Sequence, residues 1–547
     1  MDWLRNLLLV AILAVVGLLF VRWLDFREAR QVELEAVAQT QVEAGEIAEA
    51  IPRAPTAGVA DHGTAVQSAD LLTVETDALR LAIDLRGGDI VRAELLRFRQ
   101  TLEPDSPPVV ILDRSDRGVY VAQSGLVGPD GVDSNRSRPL YRASARHFSL
   151  APGQEELVVE LEHRRGEVRV VKEFRLRRGD YLVQIALRVE NGTERPLQMA
   201  PFGQILRDDQ PPPAADGFGM KPYLGAALTT PEKRYLKVPF SELDDGPFVL
   251  EMQGGWVAMV QHYFLSAWVP DPGALNRYTL KRLGDRKLYA LGFVGPSATI
   301  AAGGTTRFDA RFYVGPKDQD RLAEIAPYLD LTVDYGWLWW LAKPIFHLLA
   351  WIQSLVGNWG WAIVILTVAI KLAFYQLSAA SYRSMAKMRK LQPEMQRLKE
   401  LYGDDRQKLS QAVMELYRKE KVNPLGGCLP VLVQMPVFIA LYWVLFESVE
   451  LRHAPWILWI RDLSSKDPYF VLPILNGICM YATTLLQPEP PDPTQAKLMR
   501  IMPVAFSFLF ALFPAGLVLY WTVNSLLSIF QQWAITRKVE GKERGAR

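Results

Sequence analysis

Hydrophobic residues follow different patterns in the two halves of this chain. Between residues 71 and 315, apolar and polar positions alternate, which is typical of strands with one buried face. One such strand covers residues 79–85, and the glycine pair at 87–88 predicts a hairpin turn behind it. The alternation recurs at residues 183–189. Many short strands of this kind predict a large antiparallel β-sandwich over residues 71–330.

The role of this sandwich is not apparent from its residues. No cluster of carboxylates or aromatic side chains marks a sugar- or peptide-binding site, so we expect a structural or docking role. Asn191-Gly192-Thr193 matches the acceptor pattern for N-glycosylation, and the same residues suit a hairpin turn. Both interpretations stay open on the sequence alone.

The second half of the chain carries long apolar segments. The segments that we interpret as membrane spans cover residues 361–380, 425–446, 469–486, 501–513 and 517–535. The last two are separated by a tight turn at Phe513-Pro514-Ala515-Gly516. Together with an N-terminal anchor they predict six transmembrane helices, of which five form a core over residues 358–536.

The N-terminal anchor is predicted over residues 1–25. An uncharged run at residues 6–21 is followed by Arg22 and Trp23, and this is unlike the small-x-small cleavage site of a secretory signal. Residues 26–70 are rich in Glu, Gln, Ala and Pro, which predicts a flexible linker. Residues 331–357 contain clustered tryptophans with Pro344, and we expect them to form an amphipathic helix in the membrane interface.

The charges of the loops predict the orientation. Lysine and arginine outnumber acidic residues between 382 and 422 and in the tail at 537–547, so the positive-inside rule places both in the cytoplasm. The sandwich then lies in the periplasm. Arg22, Arg27 and Arg30 argue locally for the reverse, and we give the downstream loops more weight because they are longer and more basic.

The cytoplasmic loop at 382–422 is predicted to be a helical hairpin. Met385, Met388 and Met395 recur at helical spacing beside Arg389 and Lys390. A methionine stripe of this kind is most often the seam between two helices. The adaptable methionine side chain also suits a surface that receives different apolar partners, and the hairpin is therefore a candidate recruitment site.

Composition excludes several functions. The net charge is +2, which argues against a dedicated nucleic-acid binder. The two cysteines lie in apolar segments, so no disulfide framework is predicted. No zinc spacing, nucleophile elbow or phosphate-binding glycine loop is present. We therefore expect no catalytic residues, no metal and no cofactor, and a protein that is not an enzyme.

The most informative residue is Lys371, which lies inside the apolar segment at 361–380. A charged side chain at that depth costs a few kcal/mol and normally faces a partner or a water-filled cavity. Snorkelling to an interface is the simpler explanation, but on a continuous helix Lys371 would lie roughly 18 Å from Arg383. The position therefore favours a function.

Two functions stand open on these residues. An anion transporter or channel could bind its ligand at Lys371, although no internal repeat supports this alternative. A periplasmic enzyme or carrier of envelope assembly would instead place its activity in the sandwich.

Specific motifs indicate a third function. They are Asp334-Tyr335-Gly336-Trp337-Leu338-Trp339, Val356-Gly357-Asn358-Trp359-Gly360, Ser384-Met385-Ala386-Lys387-Met388, Lys421-Val422-Asn423-Pro424-Leu425-Gly426-Gly427-Cys428, Gln434-Met435-Pro436 and Phe513-Pro514-Ala515-Gly516-Leu517-Val518-Leu519-Tyr520. With these motifs the last 215 or so residues resemble the YidC/Oxa1/Alb3 family of membrane insertases. The large domain resembles that of the Gram-negative members in size and placement.

The resemblance implies an α-helical membrane protein of the bacterial inner membrane that inserts and folds other membrane proteins. In this family a hydrophilic groove among five spans opens to the cytoplasm and to lipid and is closed toward the periplasm. A cation at the position of Lys371 receives polar segments, while the apolar helix of the substrate enters lipid along the third and fifth spans. The implied partners are nascent membrane proteins, the Sec translocon, the lipid bilayer and, through the basic tail, the ribosome.

Further groove residues can be assigned to this chain. Thr367 lies one helical turn before Lys371 and is expected on the same face. Gln434, Asn524 and Ser528 are polar residues within spans that could face the groove or bond to a neighbouring helix. The resemblance implies substrate contacts for one further set of side chains, Met435, Phe438, Tyr520 and Trp521.

Two positions depart from the family pattern. Lys371 stands where arginine is usual, and a lysine stays protonated at depth only in a wet site, because burial lowers the pKa of an amine. Gln376 stands where relatives often carry proline, which predicts a weaker kink in the helix.

Overall fold

The described residues form two units, one built of strands and one of helices. The computed structural model describes residues 70–115, 118–134, 137–212, 222–284, 287–403, 405–420, 429–487 and 493–544. Described residues up to Val333 belong to the first unit, and those from Asp334 onward belong to the second. The predicted anchor at 1–25 lies outside the described residues, as does the predicted linker apart from Asp70.

The first unit contains most of its described residues in β-strands. The strands are β1 (Leu71–Glu75), β2 (Leu79–Asp84), β3 (Asp89–Arg99), β4 (Pro108–Ser115), β5 (Gly118–Val127), β6 (Arg142–Ala143), β7 (His147–Ser149), β8 (Glu156–Arg165), β9 (Val168–Arg177), β10 (Leu182–Asn191), β11 (Leu197–Asp208), β12 (Gly225–Leu228), β13 (Leu236–Val238), β14 (Phe248–Gln253), β15 (Val257–Val260), β16 (Phe264–Val269), β17 (Leu275–Leu283), β18 (Leu288–Val294), β19 (Ala298–Ile300) and β20 (Thr305–Pro316).

These strands form two sheets. Among the described residues, the larger sheet has eleven strands in the order β14-β17-β18-β11-β5-β4-β3-β2-β1-β7, with β19 beside β11. The smaller sheet has nine, in the order β13-β12-β15-β16-β20-β10-β9-β8-β6. Every described pairing is antiparallel except that of β1 with β7.

The alternating pattern of the sequence identified real strands. Leu79, Leu81 and Ile83 on β2 are all fully buried, as the predicted period of two requires. Gly87 and Gly88 connect β2 to β3 with φ of 82° and 62°, a region that glycine enters without steric cost. The predicted hairpin is therefore confirmed.

A buried ionic cluster joins the two sheets. Lys172 of β9 is fully buried, and its ammonium donates to the carbonyl oxygens of Gly87 at 3.0 Å, Gly88 at 2.8 Å and Ser124 at 2.9 Å. Arg138 beside it pairs with Asp89 and with Asp133. Burial lowers the pKa of Lys172 to about 7. No local pattern along the chain signals this cluster, because its members are far apart in sequence.

Asn191 is not part of a hairpin turn, and the interpretation of Asn191-Gly192 as one was wrong. The chain passes here from β10 in the smaller sheet to β11 in the larger sheet. The Asn191 amide donates to the carbonyl oxygens of Arg195 at 2.8 Å, Ile300 at 3.1 Å and Ala301 at 3.0 Å. Since Asn191 is buried, its amide is not available as a glycosylation acceptor either.

The described helices belong mostly to the second unit. They are α1 (Phe240–Asp245), α2 (Gln319–Ile325), α3 (Trp339–Val356), α4 (Trp359–Ala373), α5 (Tyr375–Lys390), α6 (Gln392–Tyr402), α7 (Arg406–Lys419), α8 (Leu429–Glu447), α9 (Val471–Leu486), α10 (Pro493–Phe510) and α11 (Ala515–Arg544). The predicted break at Phe513-Pro514-Ala515-Gly516 falls between α10 and α11 as expected. Helix α10 begins eight residues before the predicted segment at 501–513 and ends three residues before that segment does, whereas α11 extends beyond the segment at 517–535 at both ends.

The described helices do not reproduce the predicted spans as single straight helices. No single described helix combines the length and apolar composition needed to cross a membrane, whereas α4 and α5 reach them as a pair bent by 67°. The expectation of one helix over 361–380 was therefore wrong. The expectation of a weak kink at Gln376 was also wrong, because the chain bends two residues earlier, at Phe374, without a proline.

Helix α3 is amphipathic, because one of its faces is buried and the opposite face is exposed. Leu349 and Phe346 are buried, whereas Trp340 and Trp351 on the opposite face are more than half exposed. Asn358 begins α4 by accepting a hydrogen bond from the Trp361 amide at 3.1 Å.

The basic loop forms the predicted helical hairpin from α6 and α7. Asp405 begins α7 by accepting from the Lys408 amide at 3.0 Å, and this bond lowers the pKa of Asp405. The methionine stripe is not continuous, because α5 ends at Lys390 and α6 begins after Leu391. Met385 and the buried Met388 lie on α5, before the hairpin.

The hairpin buries its own methionine. Met395 on α6 is buried, and its sulfur accepts a hydrogen bond from the Tyr417 hydroxyl of α7 at 3.3 Å. Met395 therefore lies in the seam between the two helices. Arg389 and Lys390, at the end of α5, are exposed.

Candidate functional site

Lys371 lies in the last turn of α4, where α4 packs against α11. Its side chain is buried, with 9% of the residue exposed. The ammonium donates a hydrogen bond of 2.7 Å to the Ser528 hydroxyl on α11. The structure thus brings together two of the predicted groove residues, Lys371 and Ser528, which are 157 residues apart along the chain.

Ser528 has further partners. Its hydroxyl donates to the backbone carbonyl of Asn524, one turn earlier, at 2.7 Å. Tyr382 of α5 lies beside the same Ser528 side chain. Since α5 also packs against α11, three helices meet at this one side chain.

Sequence reasoning missed the contribution of α5 to this site. Ser378 and Ser381 on α5 are both buried, and Tyr382 follows them. Their spacing of three and four residues places them on one helical face, which is a signal that the sequence does contain. It was obscured by the expectation of a single helix ending at Ala380.

The other predicted groove residues lie on α4, α8 and α11. Thr367 is buried on the same face of α4 as Lys371, and its hydroxyl donates to the Ile363 carbonyl at 2.7 Å. Asn524 is half-buried on α11. Gln434 is half-buried on α8, and among the described contacts no hydrogen bond joins it to Lys371.

The electrostatics of the site are those of an isolated cation. Among the described residues, no carboxylate forms an ion pair with Lys371. A buried charge without a counterion is costly, so a polar or anionic group arriving here would be stabilised. No described group of three or more His, Cys, Asp or Glu side chains could hold a metal ion.

The predicted substrate-contact residues lie between α8, α10 and α11. Tyr520 is buried, with 3% of the residue exposed, and packs edge to face against Phe438. Trp521 packs against Phe510 with ring centroids 4.3 Å apart. Met435 lies on the surface of α8, is 46% exposed and is the most accessible of the four residues.

A second polar seam joins α9 to α11 through side chains that lie three and four residues from Ser528 along α11. The Ser525 hydroxyl donates to the Asn476 side-chain oxygen at 3.2 Å, and Asn476 is fully buried. Further along, the Gln532 amide donates to the Leu486 carbonyl at 3.1 Å. Sequence reasoning missed these residues, which hold α9 and α11 together rather than facing Lys371.

The loop between α8 and α9 is internally stabilised by two aspartates. Asp462 accepts hydrogen bonds from the amides of His453 and Ser464, each at 2.9 Å. Asp467 accepts from the Leu472 amide at 2.8 Å, at the start of α9. Both carboxylates are buried and hydrogen-bonded to backbone amides, so they fix the backbone conformation of the loop.

This loop also binds the first turns of α4 and α11. The amides of Ala515 and Gly516 donate to the carbonyls of Ser465 at 2.7 Å and Leu463 at 2.8 Å. The Asn358 side chain donates to the Pro455 carbonyl at 3.1 Å. Lys371 lies 13 residues after Asn358, or about 20 Å along α4, so the loop packs against the ends of α4 and α11 that lie opposite the cation.

Comparison with known proteins agrees with the motifs. The family model for the YidC periplasmic domain matches residues 71–348, and that for the 60Kd inner membrane protein matches residues 351–543. The insertase YidC of Cellvibrio japonicus is 50% identical over 99% of both chains. That of Azotobacter vinelandii is 49% identical over 99% of both chains.

The chain belongs to the YidC family of membrane protein insertases. A solved structure of an active YidC insertase is 20% identical, with a TM-score of 0.38, and the match covers 85% of this chain and 92% of that one. The YidC relatives are insertases of the inner membrane with a periplasmic domain. The β-rich first unit and the helical second unit agree with this membership.

Proposed function

We propose that Lys371 is the point in the membrane at which this insertase receives polar segments of an incoming chain. The single observation that carries the proposal is the buried ammonium, bonded to the Ser528 hydroxyl at 2.7 Å and not paired with any described carboxylate. An ammonium has three N–H donors, and a hydroxyl is a weaker acceptor than a carboxylate. A polar or acidic segment would therefore compete well for Lys371.

The helices of the second unit would surround this site within the bilayer. We place five spans in the core at 358–536, with the bent pair of α4 and α5 carrying Lys371 and the hairpin at 382–422 in the cytoplasm. The anchor at 1–25 would be the sixth span, and the domain at 71–330 would lie in the periplasm. The helix at 331–357 would lie in the membrane interface, which its row of exposed tryptophans supports.

The groove would open toward the cytoplasm and lipid. The well-bonded loop between α8 and α9 supports a closed periplasmic end, since it binds the first turns of both α4 and α11. A polar segment held at Lys371 would cross only part of the apolar layer, which lowers the electrostatic cost of its transfer. Insertion would be driven by transfer of the substrate's apolar helix out of water and by the membrane potential.

The partners follow from this function. Nascent membrane proteins would contact Met435 and Phe438 on α8, and Tyr520 and Trp521 on α11, after the packed rings separate. The Sec translocon would cooperate with the insertase on larger substrates. The basic tail at 537–547 and the exposed Arg389 and Lys390 would favour the ribosome, whose RNA surface is negatively charged.

Variants at Lys371 test the proposal in reconstituted vesicles. Lys371→Met should lower the insertion of a single-span protein with one Asp in its translocated segment by at least about tenfold, since it removes the charge. Lys371→Arg should keep most of the insertion. Lys497→Met, at an exposed lysine of α10, is the matched control and should leave insertion unchanged.

Photo-crosslinking tests the path of the substrate. A crosslinking residue at Met435 should capture ribosome-stalled chains only over a window of lengths, as the apolar segment emerges. The same residue at Ile478, which is 60% exposed on α9, is the control and should show no such window. Equal insertion by Lys371→Met, together with no crosslink from Met435, would count against the groove and favour binding of a small anion at Lys371.

A further inference from the structure

We infer that Ser528, together with Tyr382, positions the Lys371 ammonium for the incoming segment, and that this chain needs such positioning because its groove cation is a lysine. The inference rests on the proposed function and adds residues to it. Three side chains from three helices carry it: Lys371 on α4, Tyr382 on α5 and Ser528 on α11.

The chemistry of the Ser528 hydroxyl explains how it could do this. A hydroxyl has one donor and two acceptor positions. Its donor is used within α11, on the Asn524 carbonyl at 2.7 Å, so the oxygen's acceptor positions point away from that helix. The Lys371 ammonium occupies one of them at 2.7 Å, and Tyr382 of α5 lies beside the same side chain.

A lysine requires such support more than an arginine does. The ammonium is a point charge at the end of a flexible four-carbon stem, whereas a guanidinium carries five donors in a rigid planar fork. Lys371 is buried against α11, and Ser528 supplies its one described side-chain hydrogen bond. Without Ser528 the ammonium would lose this hydrogen bond, and the flexible stem would be less restricted in its rotamers.

Tyr382 reaches this site because of the bend after α4. The helices α4 and α5 diverge by 67°, and both pack against α11. Tyr382 follows the buried Ser378 and Ser381 on the face of α5 that is turned toward α11. It therefore lies beside Ser528 on a different helix from the one that carries Lys371.

A double-mutant cycle distinguishes positioning from plain packing. In the natural background, Ser528→Ala should lower the insertion rate of the Asp-bearing single-span protein roughly five- to tenfold, as expected for loss of one charge-assisted hydrogen bond. In a Lys371→Arg background the same change should cost less than about twofold. A purely structural role would give equal losses in both backgrounds.

Conservative variants and a matched control complete the design. Ser528→Thr keeps the hydroxyl and should restore most of the rate, and Tyr382→Phe should cost about two- to threefold only with lysine at 371. Ser525→Ala removes a hydroxyl from the same helix on the face bonded to Asn476, and it should act equally in both backgrounds. The loss in Ser528→Ala should appear as a higher half-saturating substrate concentration, and the ¹⁵N resonance of the Lys371 ammonium should shift.

The outcomes separate this inference from the proposed function. Full insertion by Lys371→Met would overturn both. Loss of insertion in Lys371→Met, together with equal effects of Ser528→Ala in the lysine and arginine backgrounds, would overturn the positioning role alone. An unchanged Lys371 ammonium resonance in Ser528→Ala would do the same.

Discussion

Tyr520 and Phe438 pack edge to face, with their ring centroids 5.5 Å apart and their planes at 72°. This contact joins α11 to α8, two helices that share few other contacts. Both residues are expected to touch substrate, yet in this conformation each covers the other. The rings must therefore separate before an incoming helix can occupy the space between α8 and α11.

The strength of this contact can be measured. Edge-to-face aromatic pairs contribute about 0.5–1.5 kcal/mol beyond the area that they bury. We expect a coupling free energy in that range from Phe438→Ala, Tyr520→Ala and the double variant, measured by reversible unfolding in detergent. The pair Phe438→Ala with Phe508→Ala is the control, because Phe508 is 75% exposed on α10 and its effect should add independently. A coupling near zero for Phe438 and Tyr520 would show that α8 and α11 are not held by these rings.

Gly360, in the first turn of α4, tests the packing of this helix against the loop between α8 and α9. A Cβ at this position would lie 2.6 Å from the Cβ of Trp456 in the loop between α8 and α9. Helix propensity alone predicts that Gly360→Ala stabilises α4 by about 1 kcal/mol. We expect the steric overlap to dominate and the variant to lose about 1–3 kcal/mol, seen as a lower thermal midpoint.

Gly357 provides the matched control for this substitution. It ends α3 with a φ of 68°, and nothing lies within 4 Å of an added Cβ. Gly357→Ala should therefore cost only the conformational strain of about 1 kcal/mol. If Gly360→Ala proved the more stable of the two, the loop could not be packed against α4 as described.

The sequence was sufficient for the features that depend on neighbouring residues. Alternation identified β2 and β10, and the glycines at 87 and 88 identified the turn between β2 and β3. Lys371 stood out because a charge within an apolar segment is costly wherever the segment lies. The motifs around Lys371 then identified the family, which the comparisons established.

The sequence was insufficient for features that depend on distant contacts. Nothing near Phe374 signals a bend, since neither proline nor glycine stands there, and without the bend Tyr382 could not be placed beside Ser528. Asn191 shows the same limit. Local rules favoured a hairpin turn, but the side chain instead bonds to carbonyls more than 100 residues away.

Asn191 should therefore be essential for the crossing between the sheets. Asn191→Ala removes the donor for three carbonyls and the acceptor for the Thr193 amide, all near the buried side chain. Each buried group left without a partner costs about 1–3 kcal/mol, so the first unit should lose at least about 2 kcal/mol. Hydrogen exchange of β10 and β11 in the full chain would report this loss. Thr193→Ala is the milder control, and its cost should stay below about 1 kcal/mol, because Thr193 is more exposed.

Lys172 should make the stability of the first unit depend on pH in an unusual direction. Burial lowers the pKa of Lys172 to about 7 in the folded chain, whereas an unfolded lysine titrates near 10.4. Between these values the unfolded chain binds more protons than the folded chain, so the free energy of unfolding should rise with pH. The slope is at most about 1.4 kcal/mol per pH unit for one such group, and below about pH 7 it should vanish because both states are protonated.

Hydrogen exchange of β9 and β10, corrected for its intrinsic dependence on pH, would measure this slope. Lys172→Met cannot titrate, so the difference between the natural chain and this variant should carry the whole slope between pH 7 and 10. Lys287→Met is the matched control, because Lys287 forms a surface ion pair with Asp209 and its side chain is 62% exposed. A flat difference between the natural chain and Lys172→Met would mean that Lys172 stays protonated throughout. In that case the three carbonyl oxygens around its ammonium, together with Asp89 and Asp133 nearby, would outweigh the cost of burial.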